Sequence, residues 1–475
     1  MADGFTGPEP TRRTFLRAGM SNPTGPAPAK DPLSATAAAP RPNFVVILGE
    51  GMRADELSSA GNKLISTPNL DRIAREGISF RNSFVINALC LPARATVLTG
   101  LYSHSNGCID NKNREIPKDV PMFADTLREA GYEVGFFGKS HIQALSKRYW
   151  DAYLGIEAAL TDYYHPVMIK SEKGQAEPAR PYQGYVDDLI TDRALAWLTQ
   201  ERNKPFCLFL WFMAPHDPFF RPRRLLDLYN GVEIPKPATF DDDLKGYPGK
   251  PRAFTKAWTK IGTTVPVKGA PRSLEELVKD HYAGVVGNDD NVGRVLEALT
   301  RLGKLDDTVI VLNSDHGFFL GEWGFYNKMF MHEPSIRVPL AVRYPRLIRP
   351  GEASEKMALN LDITPTLLEL AGLKVPEWMQ GRSLVPFMKG VPPSDWRQDW
   401  LYEYYDDRCA PKNRGVRTER YKLIHYWEAP QEFELYDLQE DPGELHNLYG
   451  DASSKELTKD LLHRMEELRR ETGEI

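Results

Sequence analysis

Residues 43–51 of the chain read NFVVILGEG, a continuous apolar run that ends in a carboxylate between two glycines. Apolar and β-branched residues without polar alternation are typical of a strand that is covered on both faces of a parallel sheet. Three later segments have the same character, namely residues 132–137, 205–212 and 308–313. The pattern predicts an α/β fold with a large, mixed but mostly parallel central sheet flanked by helices.

Polar side chains suited to binding a metal or an anion follow each of these four strands. In chain order they are Glu50; Lys139 and His141; His216; and Asp315 and His316. Ligands bind outside the carboxyl ends of the strands in open α/β sheets, so we expect these groups to converge on one site. Taken singly, each could be a turn, capping or solvated surface residue. Four clusters at four strand ends favour a functional site.

Length and composition exclude several classes of protein. The chain has 475 residues, of which 26% are charged and 41% hydrophobic, as in an ordinary globular enzyme with one large domain or two unequal ones. A net charge of -5 gives no electrostatic case for nucleic acid or an anionic membrane. The longest apolar run, residues 206–215, is too short to span a bilayer. Four cysteines (Cys90, Cys108, Cys207 and Cys409) are too few for a disulfide scaffold.

A second informative stretch, residues 87–100, reads NALCLPARATVLTG. Pro92 fits the first position of a helix, and Gly100 fits its end. Cys90 would then lie at the positive end of the helix dipole, where thiolates and anions are favoured, and Arg94 adds a fixed cation. The alternative for an isolated cysteine is a small buried apolar residue, with Arg94 as a surface charge.

This stretch resembles the signature of the type I sulfatases of the alkaline phosphatase superfamily, C-x-P-S/A-R followed by x-x-x-x-T-G. The matching residues are Cys90, Pro92, Ala93, Arg94, Thr99 and Gly100. The resemblance implies that a formylglycine-generating maturation enzyme oxidises Cys90 to formylglycine (3-oxoalanine), an aldehyde whose hydrate is the nucleophile. It also implies that the protein hydrolyses a sulfate ester of an aryl compound or a carbohydrate.

Other motifs extend the resemblance over residues 42–475. Lys139 and His141 match the family's G-K-x-H element, His216 its P-H-x-P element, and Lys328 the lysine after the second metal motif. The resemblance implies that Arg94 stabilises the hydrate and that Lys139 and Lys328 neutralise the sulfate oxygens. It also implies that His216, with Lys328, protonates the leaving group, and that His141 removes a proton from the hydrate to release sulfate.

The predicted metal site departs from the family pattern. The first strand of a sulfatase normally ends in two aspartates that bind the metal, whereas this chain has Glu50 and Gly51. We expect Glu50, Asp315, His316 and the modified residue 90 to hold one divalent cation. Calcium is the family's usual ion. The histidine ligand and the missing carboxylate leave zinc, manganese and magnesium as alternatives.

The domain prediction has three parts. Residues 11–16 (TRRTFL) resemble the twin-arginine export signal, and residues 23–42 are a Pro- and Ala-rich linker, so residues 1–42 are assigned to a signal and linker. This favours a bacterial periplasmic enzyme over a cytoplasmic one with a basic tail. Residues 43–395 would form the catalytic α/β domain, and residues 396–475 a small C-terminal subdomain with an antiparallel sheet and a closing helix.

Local patterns predict the remaining elements. We expect helices over residues 68–75, 121–130, 281–302 and 454–471, paired strands over 417–424 and 435–438, and long loops over 219–275. Tyr163, Tyr164, Trp323 and Tyr326 are candidates for stacking on a sugar or an aryl ring, with loop packing as the alternative.

Two other functions fit part of the pattern. A phosphonate monoester or phosphodiester hydrolase would share the same nucleophile and metal framework. An inactive sugar-binding relative would have lost its site, with Gly51 as the first sign, but the other site residues are all retained. The expected partner is thus a sulfated small molecule or glycan, and the oligomeric state stays open.

Overall fold

The computed structural model describes residues 41–112, 114–217, 219–241, 273–406, 410–428 and 431–475. From Arg41 onward these residues form one compact unit. The predicted export signal, most of the predicted long loop and Cys409 lie outside the described residues. The other three cysteines are buried and free, and Cys207 lies in the core as expected. Within the described ranges, no helix combines the length and apolar character needed to cross a membrane.

Helices and strands alternate through the first three quarters of the chain. The helices are α1 (Pro68–Arg75), α2 (Cys90–Thr99), α3 (Ser103–Asn106), α4 (Phe123–Glu129), α5 (Val186–Leu198), α6 (Leu274–Arg301), α7 (Glu333–Ile336), α8 (Ile363–Leu370), α9 (Val385–Met388) and α10 (Lys455–Glu471). The strands are β1 (Asn43–Gly49), β2 (Ile78–Phe80), β3 (Ser83–Phe84), β4 (Glu133–Lys139), β5 (Ala152–Ile156), β6 (Val167–Glu172), β7 (Gln175–Ala176), β8 (Arg180–Pro181), β9 (Phe206–Trp211), β10 (Thr308–Ser314), β11 (Phe319–Leu320), β12 (Tyr326–Asn327), β13 (Ala341–Arg343), β14 (Glu352–Ser354), β15 (Ala358–Leu359), β16 (Asp399–Tyr404), β17 (Asn413–Thr418), β18 (Tyr421–Tyr426) and β19 (Glu432–Asp437).

An eleven-stranded mixed sheet forms the centre of the molecule, in the order β14-β2-β13-β10-β1-β9-β4-β5-β6-β7, with β8 paired to β6. The five strands from β10 to β5 run parallel to one another. Antiparallel pairing occurs on both sides of this group, at β13 and at β6. The predicted fold class is therefore confirmed.

The register aligns the carboxyl ends of the four predicted strands. Gly49 lies opposite Ser314 across β1 and β10, and Gly138 of β4 lies opposite Trp211 of β9. All seven residues of β1 are buried, because apolar layers cover the sheet on both faces. Residues just beyond these strand ends must therefore emerge at one edge.

The C-terminal segment adds a four-stranded antiparallel sheet in the order β16-β17-β18-β19, and α10 packs against it. The sheet and closing helix were predicted, but β16 and the division of residues 417–424 between two strands were not. Residues 417–424 do not form a single strand, because β17 ends at Thr418 and the chain turns back into β18. The Thr418 hydroxyl accepts a hydrogen bond from the Tyr421 amide, at 2.8 Å, across this turn.

Two helices begin earlier than predicted. α2 begins at Cys90 rather than at Pro92, so the cysteine is the first helical residue. α6 begins at Leu274 rather than near 281, because Ser273 and Glu276 form a capping box that the proline- and glycine-rich segment before it obscured. Gly100 ends α2 in the left-handed conformation, as predicted.

Candidate active site

The Glu50 carboxylate is the hub of a buried polar cluster just beyond β1. Its Oε2 accepts hydrogen bonds from Arg94 Nη2 at 2.7 Å and from Lys139 Nζ at 2.8 Å. Its Oε1 faces His316 Nε2 at 3.2 Å and Cys90 Sγ at 3.3 Å. Burial opposes ionisation, but the surrounding cations hold the pKa of Glu50 well below its ordinary value. The carboxylate therefore stays charged, with one oxygen turned to the cations and the other to the centre of the site.

Arg94 connects the residues that follow two neighbouring strands, β1 and β10. Its Nε donates to Asp315 Oδ2 at 2.9 Å, its Nη2 to Glu50, and its Nη1 to the carbonyl of Lys139. The guanidinium is fully buried, and its five fixed donors suit such a multiple contact better than an ammonium group would. Arg94 therefore fixes the positions of the Glu50 and Asp315 carboxylates relative to each other and to β4.

Cys90 lies at the N-terminus of α2, at the centre of the cluster. Its Sγ is 3.3 Å from Glu50 Oε1 and 3.4 Å from His316 Nε2. Burial and the Glu50 charge raise the pKa of the thiol, but Lys328, Lys139 and His316 outweigh them and hold that pKa well below its ordinary value. The strongly cationic surroundings would stabilise any oxyanion at this position.

His316 has a ring orientation suited to binding a metal. Its Nδ1 is 2.8 Å from the carbonyl of Gly317 and donates to it, which leaves Nε2 as the free nitrogen, aimed at Glu50 and Cys90. Asp315 Oδ1 lies 3.5 Å from the same nitrogen. Burial raises the pKa of Asp315 to about 6, while Asp315 and Cys90, against burial, raise that of His316 to about 9.

Ligand atoms of Glu50, Cys90, Asp315 and His316 all lie within 4.8 Å of one another, and all four residues are buried. The donors are two carboxylates, one imidazole nitrogen with its tautomer fixed, and the side chain of residue 90. This set fits a divalent cation. These are the four residues that the sequence predicted as metal ligands.

Gly51 occupies the position where the sulfatase pattern has its second aspartate. Its φ of +66° lies in the left-handed region, and its amide donates to Asp315 Oδ1 at 3.1 Å. A Cβ at this position would lie 3.3 Å from Phe318 Cδ2 and 3.5 Å from His316 Cε1. The absent side chain therefore leaves room for the Phe318 ring beside His316.

Two further histidines belong to the site, and their pKa values are shifted in opposite directions. His216 Nδ1 contacts the carbonyl of Asp217 at 2.6 Å, so its Nε2 faces Lys328 Nζ at 3.5 Å. Burial and the lysines lower the pKa of His216, but Glu50 and Asp217 outweigh them and raise it above its ordinary value. Burial lowers the pKa of His141 to about 4. His216 is therefore the more readily protonated of the two, and His141 stays neutral near neutral pH.

Lys328, the last of the predicted residues, is also in the cluster. Its Nζ lies 3.8 Å from Glu50 Oε1, and the Cys90 and Glu50 charges raise its pKa, against burial, above the ordinary value. All nine predicted site residues (Glu50, Cys90, Arg94, Lys139, His141, His216, Asp315, His316 and Lys328) are thus buried, and His141 is near enough to Cys90, Lys139 and Glu50 for their charges to act on its pKa.

Sequence reasoning did not predict which residues hold the His216 loop (residues 213–217), and it named Tyr163 only as a stacking candidate. Tyr163 Oη donates to the carbonyl of His216 at 2.5 Å, and the Asp187 carboxylate accepts from the amides of Met213 and Ala214, both at 2.8 Å. Asn288 Nδ2 donates to the carbonyl of Ala214 at 2.7 Å. No local pattern marks these residues, because each reaches the loop from a distant part of the chain.

The candidate stacking aromatics mostly pack within the protein. Tyr163, Trp323 and Tyr326 are buried, and the Tyr164 hydroxyl donates to the carbonyl of Arg221 at 2.6 Å. The packing alternative therefore describes these residues better than an open stacking platform.

Comparisons with known proteins agree with this geometry. Residues 42–373 match the family model "Sulfatase", and residues 321–471 match "N-sulphoglucosamine sulphohydrolase, C-terminal". The chain is 33% identical to an N-acetylglucosamine-6-O-sulfatase of Bacteroides thetaiotaomicron, over 91% of this chain and 87% of that protein.

Solved structures give the same result. A structure in complex with its substrate, D-glucosamine-2-N,6-O-disulfate, superposes with a TM-score of 0.85 at 32% identity, covering 91% of this chain and 98% of that one. A phosphonate monoester hydrolase of Agrobacterium radiobacter superposes with a TM-score of 0.74 at 25% identity, covering 91% and 96%. From its motifs, its buried site and these matches, the chain belongs to the sulfatase family of the alkaline phosphatase superfamily and is a sulfuric ester hydrolase.

Proposed function

We propose that the protein removes the 6-O-sulfate of an N-substituted glucosamine, using formylglycine at position 90 and one divalent cation. The observation that carries the proposal is the position of Cys90, at a helix N-terminus between a free histidine nitrogen and a carboxylate oxygen, within a shell of buried cations. When present, the formylglycine hydrate supplies a nucleophilic oxygen and the cation supplies positive charge beside it.

The cationic residues of the chain fit the sulfate group. Lys139 and Lys328 both reach the Glu50 carboxylate, from different parts of the chain, and so flank the centre of the site. In a site closed to water, fixed ammonium groups stabilise the charge that develops on sulfate oxygens. Arg94 is already engaged by two carboxylates and a carbonyl, so its role is to hold the anionic residues in place.

The two histidines supply acid and base. His216 Nε2 points towards Lys328, and Glu50 and Asp217 raise the pKa of His216, which favours its role as the group that protonates the departing sugar oxygen. His141 is buried and neutral at the same pH, so it can take a proton from the side chain at position 90 when sulfate is released. A sugar alkoxide is a poor leaving group, which makes the proton from His216 essential.

The substrate class is supported by relatives. One relative is an N-acetylglucosamine-6-O-sulfatase, and the solved structure holds D-glucosamine-2-N,6-O-disulfate as its substrate, so both point to a glucosamine with a 6-O-sulfate; each match covers 91% of this chain. The likeness to the phosphonate monoester hydrolase keeps phosphonate and phosphate esters as the competing substrates.

We propose calcium as the ion, since Glu50 and Asp315 offer hard oxygen ligands and calcium is the usual ion of the family. Zinc, manganese and magnesium are the alternatives that the His316 nitrogen favours. Elemental analysis of the purified protein distinguishes them, and removal of the ion by a chelator is expected to abolish turnover.

The decisive experiment combines mass spectrometry with kinetics. The tryptic peptide of residues 82–94, from protein made with the maturation enzyme, is expected to have the mass of the aldehyde or its hydrate at position 90. N-acetylglucosamine 6-sulfate should be turned over with a higher kcat/KM than a matched phosphonate monoester. Cys90→Ala is the control and should be inactive. Full activity with an unmodified cysteine would refute the formylglycine mechanism, and a preference for the phosphonate would refute the sulfatase assignment.

We also propose that the protein is exported to the periplasm through its twin-arginine segment. Support comes from the sequence of residues 11–16 alone. Cell fractionation of the full chain and of an Arg12→Lys, Arg13→Lys variant tests this. Retention of the variant in the cytoplasm is expected, and equal distribution of both proteins would refute the proposal.

A further inference from the structure

The ring of Phe318 lies beside the position where the sulfatase pattern has its second aspartate. Phe318 follows His316 by two residues, and its side chain is buried. A Cβ built on Gly51 would lie 3.3 Å from Phe318 Cδ2. An aromatic ring, and not a second carboxylate, therefore borders this side of the site.

Contacts on several sides hold the Phe318 ring in place. The ring of Phe219, in the segment that follows His216, meets it edge to face, with 5.6 Å between the centroids. The ring of His281, on α6, lies 5.7 Å from it. The backbone is held as well, because the Phe318 carbonyl accepts a hydrogen bond from Arg53 Nη1 at 3.3 Å. The orientation of the ring is thus fixed by three separate parts of the chain.

The ammonium group of Lys328 lies over the Phe318 ring. Its Nζ is 5.7 Å from the ring centroid and 3.8 Å from Glu50 Oε1. Lys139, the other lysine of the site, is held much more closely by the same carboxylate, with 2.8 Å between Nζ and Oε2. The two lysines therefore differ in what restrains them, since Lys139 forms a close ion pair and Lys328 has an aromatic face beside it.

This difference affects the charge that each lysine offers to a substrate. A carboxylate in close contact neutralises an ammonium group, whereas an aromatic face attracts it through the ring quadrupole and carries no net charge. The attraction is stronger for a cation removed from water, and the Lys328 side chain is only 5% exposed. Phe318 can therefore restrain the ammonium group and still leave its positive charge to an anion.

We propose that Phe318 is a positioning residue, whose ring holds the Lys328 ammonium group in place to bind an oxygen of the substrate sulfate. The inference deepens the proposed function and rests on it, because it requires Lys328 to meet the sulfate group. Phe318 itself acts only through Lys328.

The alternative is that Phe318 only fills space in the core beside the site. Loss of packing would lower activity by the same factor whether or not an ammonium group is present at position 328. Loss of a cation–π contact would lower it only when the ammonium group is there. A double-mutant cycle separates these two explanations.

The test measures kcat/KM for N-acetylglucosamine 6-sulfate and 4-nitrophenyl sulfate, and the inhibition constant of inorganic sulfate, in four proteins. These are the wild type, Phe318→Leu, Lys328→Met and the double variant. Phe318→Leu should lower kcat/KM about 5- to 30-fold and weaken inhibition by sulfate in the wild-type background. In the Lys328→Met background the same change should have an effect below about 2-fold.

Phe319→Leu is the matched control. This neighbouring ring is equally buried, but it packs against Trp323 and Phe330 in a different cluster of the core. Phe319→Leu should lower the Tm much as Phe318→Leu does and should change kcat/KM by less than about 2-fold.

A ring of the same shape with altered electronics gives a second test that does not depend on repacking. Phe318→pentafluorophenylalanine reverses the ring quadrupole, so it should lower kcat/KM at least as much as Phe318→Leu does. If Phe318→Leu does not fold, this variant decides by the same comparison with the Lys328→Met background.

Equal falls in the two backgrounds, or an unchanged kcat/KM with the fluorinated ring, would overturn the inference. Turnover of N-acetylglucosamine 6-sulfate by the wild type would leave the proposed function intact in that case. A wild-type protein that hydrolyses no sulfate ester would overturn the proposed function and this inference together.

Discussion

Replacing Gly51 tests whether the proposed metal site of this chain is adapted to one fewer carboxylate. Gly51 has a φ of +66°, and a Cβ would lie 3.3 Å from Phe318 Cδ2. The left-handed conformation costs about 1–2 kcal/mol for a residue with a side chain, and Phe318 would also have to shift. We therefore expect Gly51→Ala to lower the free energy of unfolding by about 2 kcal/mol, seen as a fall of a few degrees in Tm.

Gly51→Asp combines the backbone strain and the added Cβ of Gly51→Ala with a new negative charge. Aspartate tolerates the left-handed region better than alanine, but burying a third charged carboxylate beside Glu50 and Asp315 carries a desolvation cost of several kcal/mol, on the order of that for any buried ion. Without metal, this variant should therefore be less stable than Gly51→Ala. With a divalent cation it should gain more stability than the wild type, because the third carboxylate raises affinity for the ion and binding stabilises the folded state.

Thermal unfolding in chelator and across a calcium titration measures both effects, with elemental analysis of each protein as the control. The expected order of Tm in chelator is wild type, then Gly51→Ala, then Gly51→Asp. A Gly51→Ala protein as stable as the wild type would refute the argument that the left-handed backbone and the close approach of Phe318 require glycine at this position. A Gly51→Asp protein with no larger calcium response would refute the argument from charge.

Three further predictions concern the support of the site. Arg94→Lys should lower stability by about 3 kcal/mol and kcat/KM by at least about 100-fold, measured by denaturant unfolding and kinetics, because it leaves buried carboxylates without their bridging donors. Tyr163→Phe removes the hydrogen bond to the His216 carbonyl and so should loosen the His216 loop. The kcat of this variant should fall more for the sugar sulfate than for 4-nitrophenyl sulfate, because the leaving group of the aryl ester needs no proton. Against the effect of burial, Glu403 raises the pKa of His104 to about 9 from 6.5, so this pair's stabilisation is complete below about pH 6.5 and is lost as pH rises through about 9. The Tm of the wild type should therefore fall over that range more than the Tm of Glu403→Gln.

The sequence predicted the centre of the site well because its signals are local. A buried parallel strand needs a continuous apolar run, and the residue after it must emerge at the carboxyl edge, as Glu50 and Asp315 do. The register of β1 with its neighbours then makes convergence unavoidable. The roles assigned to the individual residues stay predictions until the kinetics are done.

The residues around that centre could not be predicted in the same way. Tyr163 and Asp187 contact the His216 loop through tertiary packing, at sequence separations of 53 and 26 residues from their partners. A tyrosine or an aspartate at a helix start has common structural explanations, so its sequence context carries no signal. The start of α2 was misplaced for a related reason, since Pro92 is tolerated throughout the first turn.

The extra methylene of Glu50 also explains why a glutamate stands where the family has an aspartate. Arg94 and Lys139 hold Oε2, while Oε1 reaches 3.3 Å from Cys90 Sγ and 3.2 Å from His316 Nε2. One side chain thus serves as counter-ion to two cations and supplies an oxygen to the proposed metal site. Because Gly51 supplies no second carboxylate, Arg94, Lys139 and Lys328 exceed the two carboxylates, Glu50 and Asp315, in charge. That excess weakens the hold on a divalent cation but strengthens the attraction for an anionic ester, so affinity for sulfate should depend less on metal concentration than in a two-aspartate site.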